Sequence, residues 1–165
     1  MKFFYFLLTL TSIAGLAQSS DQSRPTTIFL VRHAERANDG TNDPPISEEG
    51  KSRAIKLVET LKNAGVTAIY STDYKRTRTT IGPLAKARDL EIRTYEAMKE
   101  SELKRIAEEN GGGVVVICGH SNTTPWSANF LAGTKLENIN DADYGNILIV
   151  TFWDHGKASL TRVSY

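Results

Sequence analysis

The sequence has one cysteine, Cys118, among 165 residues, so no disulfide forms within the chain. Cys118 ends an apolar run, where a thiol packs as a small hydrophobe and makes a poor nucleophile. An excess of charge is also missing: 20 basic and 19 acidic side chains nearly cancel. That balance gives no reason to expect nucleic acid or a membrane surface as partner. Internal repeats are absent. No apolar run is long enough to span a bilayer; the longest lies at the start.

That first run has the form of a secretory signal. Lys2 is followed by an apolar stretch and by Gly15, Leu16 and Ala17, a small-residue site for cleavage after Ala17. No cysteine stands near it, so a bacterial lipoprotein is not indicated. Residues 18–25 read as a polar tether, and residues 26–165 as one domain of ordinary composition, 40% hydrophobic and 24% charged. The expected location is periplasmic or secreted, with no membrane contact after cleavage.

Strand and helix signals alternate from residue 26 to about 131. Strands are expected at 26–31, 66–70, 91–95 and 114–118. The last, Val114 to Cys118, is apolar on both faces and therefore central. Helices are expected from Ser47 as cap, with Ala54, Leu57, Val58 and Leu61 on one face and Gly65 as stop. A second covers 74–88, capped near Ser71–Asp73, with Thr77, Ile81, Leu84 and Ala85 inward. Pro83 should kink or split it, since an interior proline costs about 3 kcal/mol. A third covers 99–110, with Leu103, Ile106 and Ala107 inward. A short helix is expected from Thr124 as cap and Pro125 as first helical residue. Residues 147–153 and 158–163 flank a turn as a hairpin. The fold class is α/β: a three-layer α/β/α sandwich with a mostly parallel sheet and a C-terminal β-hairpin.

Two of these strands end in a histidine, at Arg32-His33 and at Gly119-His120. In a parallel sheet those ends share one edge, where ligands of open α/β proteins bind. A third strand end leads into Lys75, Arg76 and Arg78 at a helix start, which adds affinity for anions. Histidines, arginines and a helix N-terminus on one edge suit a phosphoryl group. A metal site from His33, His120 and an acid is opposed by the arginines beside it.

Leu30-Val31-Arg32-His33-Ala34-Glu35, Ser71 to Thr80 and Gly119-His120-Ser121-Asn122 resemble the three motifs of the histidine phosphatase, or phosphoglycerate-mutase-like, superfamily. Asp43 to Gly50 resembles that family's lead into its first helix. The resemblance covers residues 26–163 and implies a phosphoglycerate mutase-like fold and these roles. His33 is the nucleophile that becomes phosphohistidine. Arg32 and Arg76 bind phosphoryl oxygens, and His120 donates to the phosphoryl group in the transition state. No metal or other cofactor is required, and the substrate is a small phosphorylated molecule. Many members carry an acid after the third strand to protonate the leaving group. Glu96 is nearest in place, although the family's Glu-containing signature is missing around it. Asp89, Glu91 and Glu100 are rivals, and a minimal member without such an acid stays open.

Ser121 and Asn122 either line the pocket or cap a helix. Arg78 is expected to point away from Arg76. Glu35 either orients Arg32 or faces water, and His155 lies in the hairpin turn at the surface. The expected activity is phosphomonoester hydrolysis. A module that binds phosphate esters without turnover and a phosphohistidine protein phosphatase are the alternatives. A mutase is disfavoured because the chain is near the minimal core, and a phytase-like role because no second domain is present. Oligomeric state leaves no signal in the sequence.

Overall fold

The computed structural model describes residues 24–153 and 157–165. The expected signal at 1–17, most of the tether at 18–25 and His155 lie outside them.

Strand β1 (Thr26–Arg32) leads through a long loop to helix α1 (Glu48–Leu61). Strand β2 (Ala68–Ser71), helix α2 (Lys75–Arg88), strand β3 (Ile92–Thr94), helix α3 (Glu100–Glu109), strand β4 (Val114–Gly119) and helix α4 (Thr123–Ala132) follow in alternation. Strands β5 (Asn146–Phe152) and β6 (Ala158–Ser164) complete a six-stranded sheet ordered β3-β2-β4-β1-β5-β6. The first four strands are parallel, whereas β5 runs antiparallel to β1 and β6 antiparallel to β5. The sheet is therefore mixed: the terminal hairpin joins the parallel part edge to edge and extends it.

Alternation along each strand sends side chains to two cores. Ile28, Leu30, Tyr70, Val115 and Ile117 meet Leu103 and Ile106 of α3 and Ala128 of α4. Val31, Ile69, Val116 and Cys118 meet Leu57 and Leu61 of α1 and Ile81 and Leu84 of α2. Helices thus cover both faces, and the strands between them are apolar throughout, as buried parallel strands are.

Local signals explain most boundaries. Ser47 caps α1, its hydroxyl accepting the Gly50 N–H at 3.1 Å. Two caps differ from expectation. The α2 N-cap is Tyr74, which makes no side-chain cap; the carboxylate of Asp43, from the loop after β1, accepts the Lys75 N–H at 3.2 Å instead. Helix α4 begins at Thr123, with Asn122 at its N-cap. Thr124 and Pro125 both lie in its first turn, where backbone N–H groups have no intrahelical partner and proline loses little. Pro83 does not split α2, which runs unbroken from Lys75 to Arg88. Ile81 and Leu84, both fully buried, hold it against the sheet on either side of the proline.

The connection of α4 to β5 sets up the site. Helix α4 starts at the edge where the parallel strands end, and the antiparallel β5 starts at that same edge. Residues 133–145 must therefore travel back to it. They do so along the start of α4, with the Ile139 N–H donating to the Ser121 carbonyl at 2.8 Å.

Candidate active site

Strands β1 and β4 are neighbours, with Arg32 opposite Gly119. The His33 N–H extends the ladder to the Gly119 carbonyl at 2.9 Å. The two histidines that follow these strands face each other with ring centroids 5.4 Å apart. They lie in a cleft of about 710 Å³ that Arg32, Arg76, Tyr74 and Tyr144 also line. Crowding around the turns explains two glycines. A Cβ at Gly119 would stand 2.5 Å from the Thr123 hydroxyl, and one at Gly50 2.5 Å from the Glu35 carbonyl.

His33 is 6% exposed. Its Nδ1 lies 2.8 Å from the Ala34 carbonyl oxygen. That oxygen only accepts, so Nδ1 carries the hydrogen and Nε2 keeps its lone pair. Burial lowers the His33 pKa to about 4, and Arg32, Arg76 and Arg36 add to the effect against the pull of the Ala34 carbonyl. The ring is neutral at pH 7, the state a nucleophile requires. The Thr80 hydroxyl, on α2, accepts the Ala34 N–H at 2.9 Å and fixes the turn.

Arg32 is 5% exposed. Its guanidinium donates to the carbonyls of Asn140, Asp141 and Asp143 at 2.9–3.1 Å. The Tyr144 ring stacks on it at 4.1 Å. Its Nε is buried and has no partner among the described residues. A buried unpaired donor is costly, and a phosphoryl oxygen in the cleft would satisfy it.

Arg76 is held more loosely. It reaches the Asp43 carboxylate at 3.4 Å and His120 Nδ1 at 3.4 Å, and stacks on Tyr74. His120 Nε2 lies 3.1 Å from the Thr72 hydroxyl. Burial lowers the His120 pKa to about 4, helped by Arg76, His33 and Arg32 and opposed by Asp43.

Of the four acids considered for leaving-group protonation, only Glu96 lines the cleft. It is solvent-exposed and pairs with Lys99 at 3.3 Å. Asp89 sits at the far end of α2 as its C-cap. Glu91 and Glu100 do not line the cleft, but Asp73 and Asp141 do. Ser121 and Asn122 line it too. The Ser121 hydroxyl donates to the Asp141 carboxylate, and Asn122 makes no side-chain cap bond. Arg78 turns away to Thr94 and Asp73. Glu35 neither orients Arg32 nor faces water: it pairs with Arg53, whose Nε donates to it at 2.7 Å.

The sequence reading missed Asp43, Thr72, Tyr144 and the carbonyls of 140–143. Asp43 precedes Pro44 in the loop after β1, and its role depends on α2 lying beneath it. The carbonyls have no side-chain signature at all.

The family model for the histidine phosphatase superfamily (branch 1) matches residues 28–104. Over that segment the chain is similar to the histidine phosphatase superfamily. The matched segment holds Arg32, His33, Arg76 and Glu96; His120, beyond it, is joined to them by the fold. The probable phosphoglycerate mutase GpmB of Shigella dysenteriae is 36% identical over 66 residues, covering 36% of this chain and 31% of that protein. The chain thus spans about a third of the length of the curated relatives it matches. Among solved structures, the protein histidine phosphatase SixA complexed with tungstate superposes with a TM-score of 0.70 at 16% identity, covering 84% of this chain and 96% of that one. Phosphoserine phosphatase of Entamoeba histolytica, in complex with 3-phosphoglyceric acid, superposes with a TM-score of 0.65 at 17% identity, covering 85% and 97%. At those identities the superpositions establish the fold that the superfamily shares.

Proposed function

We propose that this protein is a phosphomonoester hydrolase that passes the phosphoryl group through His33 to water. The observation that carries this reading is the bare Nε2 of His33, fixed by the Ala34 carbonyl in a cleft lined by two arginines and a second histidine. Nε2 attacks phosphorus as the ester oxygen leaves. Water then attacks the phosphohistidine and restores the free ring. Arg32 Nε and Arg76 neutralise charge on the phosphoryl oxygens, with Ser121 and Asn122 as further donors at the cleft wall. Glu96 is assigned the proton for the departing alcohol on the basis of its place in the cleft. We assign no metal to the reaction, because Arg32, Arg36 and Arg76 all line the cleft and would repel one. The substrate is a small phosphorylated molecule, and the apolar run after Lys2 supports an encounter outside the cytoplasm.

Hydrolysis is preferred to mutase chemistry for a structural reason. A mutase must keep water from the phosphohistidine. Between α2 and β4 the chain supplies only the three-residue β3 and the ten-residue α3, with no added segment over the cleft.

The test is a panel of phosphomonoesters, including an aryl phosphate, 3-phosphoglycerate and a phosphohistidine peptide. Phosphate release should be abolished by His33→Ala and insensitive to chelator. Acid-labile phosphate should be trapped on His33 at short times and read by mass spectrometry. Full activity in His33→Ala refutes the nucleophile. Isomerisation of 3-phosphoglycerate without phosphate release refutes hydrolysis, and preference for the peptide makes the protein a phosphohistidine phosphatase. Tight phosphate binding with no turnover leaves a binding module.

A further inference from the structure

The two site histidines hold their protons in opposite ways. His33 spends the hydrogen at Nδ1 and keeps Nε2 bare. At His120 the nitrogen facing Arg76 is Nδ1, 3.4 Å from Nη2. A guanidinium only donates, so Nδ1 accepts and carries no hydrogen. Nε2 lies 3.1 Å from Thr72 Oγ1. The Thr72 hydroxyl already donates to Thr77 Oγ1 at 3.1 Å. The Thr77 hydroxyl in turn has the carbonyls of Thr72 and Tyr74, each at 2.9 Å. Each link therefore points one way, and His120 Nε2 is the donor at its head. Thr72 is 4% exposed and Thr77 fully buried, so solvent does not stand in for either hydroxyl.

We propose that Thr72 is a positioning residue: it takes the Nε2 hydrogen of His120 and thereby reserves Nδ1 to receive a proton from the bound phosphoryl group. The proposal rests on the phosphoryl-transfer reading above and deepens it. In the free site His120 has no hydrogen left for a phosphoryl oxygen, so it is not a standing donor. A phosphomonoester monoanion, R–O–PO₃H⁻, supplies what is lacking. Its O–H bond breaks, an Nδ1–H bond forms, and a dianion is left against an imidazolium whose other hydrogen stays on Thr72. No bond to phosphorus changes in this step. Arg76 exchanges Nδ1 for the phosphoryl oxygens at the same time.

The surroundings of His120 fit such an exchange. Arg32 and His33 face it from the end of β1, and Tyr74 and Arg76 from the start of α2. Asp43 belongs to the loop before α1, Glu96 to the loop before α3, and Asp141 and Tyr144 to the loop before β5. Asp73 lines the same cleft. In the free site the nearby arginines oppose a charge on the ring, and Asp43 offsets them in part. A phosphoryl dianion reverses that balance.

Nitrogen-15 NMR of the histidine rings, on the purified protein without ligand, reads the tautomers directly. His120 is expected as Nε2–H and His33 as Nδ1–H. A neutral Nδ1–H form at His120 overturns the proposal whether or not the protein turns over any ester. Saturating inorganic phosphate should then add a proton at His120 Nδ1, and no added proton also overturns it. Thr72→Val should mix the two tautomers and lower kcat by roughly tenfold or more, with KM kept within about twofold. Thr72→Ser, which keeps the hydroxyl, should restore both. Should the valine variant fail to fold, the wild-type spectra and the serine variant decide, and loss of the Nε2–H form in Thr72→Ser counts as refutation. Spectra as expected without any ester hydrolysis overturn the phosphatase reading alone.

Discussion

Arg32 and Arg76 line one cleft from two regions that treat them differently. At the end of β1, Arg32 is buried, clamped by three backbone carbonyls and stacked on Tyr144. At the start of α2, Arg76 is half-buried, stacks on Tyr74 and makes two longer hydrogen bonds of 3.4 Å, to Asp43 and His120. The first is preorganised, since its clamp is complete before any ligand arrives. The second is adjustable, since it can leave both partners for a phosphoryl oxygen. Preorganised donors contribute to transition-state stabilisation without reorganisation during the reaction. An adjustable one lets ligand enter and leave.

Truncating the fixed arginine should have the largest effect. Arg32→Ala leaves three carbonyls without their donor and removes the phosphoryl contact. It should cost about 2–4 kcal/mol of stability, read by urea unfolding, together with nearly all turnover. Unchanged stability would show that the clamp does not hold the loop. Arg76→Ala comes next. It should leave unfolding nearly unchanged but cost about 3 kcal/mol in kcat/KM, with Arg78→Ala close to wild type. The reverse order would mean that Arg78 is the ligand. Glu96→Gln should slow alkyl phosphates more than aryl phosphates, whose leaving groups need no proton; equal slowing leaves the proton donor to Asp73 or Asp141.

Acid should act more gradually than any of these substitutions. Both histidines titrate near 4 in the folded protein and near 6.5 when unfolded. Between those values the unfolded chain binds more protons, so stability falls as pH drops from about 6.5 toward 4 and is flat above. Melting temperatures across that range should show the slope. Replacing both histidines with asparagine should flatten it, and saturating phosphate should reduce it.

How much of this the sequence announced depends on distance along the chain. His33 and His120 were legible because each follows an apolar run, and alternating strands and helices imply a shared edge. Arg76 was legible through its motif at a helix start. The sandwich and its two cores followed from the same alternation. The contact of Arg32 with residues 140–143 was not legible, since it joins positions more than a hundred residues apart through carbonyls. Asp43 misled for a related reason: a loop residue became the cap of a helix that begins more than thirty positions later. Glu35, two residues after His33, was drawn to Arg53 because α1 packs beneath the turn. The proline in α2 was tolerated because packing on both sides outweighed a local penalty.

The carbonyl clamp separates what must stay fixed from what is free to change. Every amino acid supplies the same carbonyl, so residues 140, 141 and 143 anchor Arg32 chiefly through their backbone, with the Asp141 carboxylate adding an ion pair at 3.5 Å. The Asp141 side chain forms part of the cleft wall, and an exposed ion pair of its kind is worth little, so it can be changed while the carbonyl clamp stays. This is the place to graft a new preference for the alcohol half of a substrate, and a library confined to it should yield proteins that differ in which ester they select while keeping the same nucleophile.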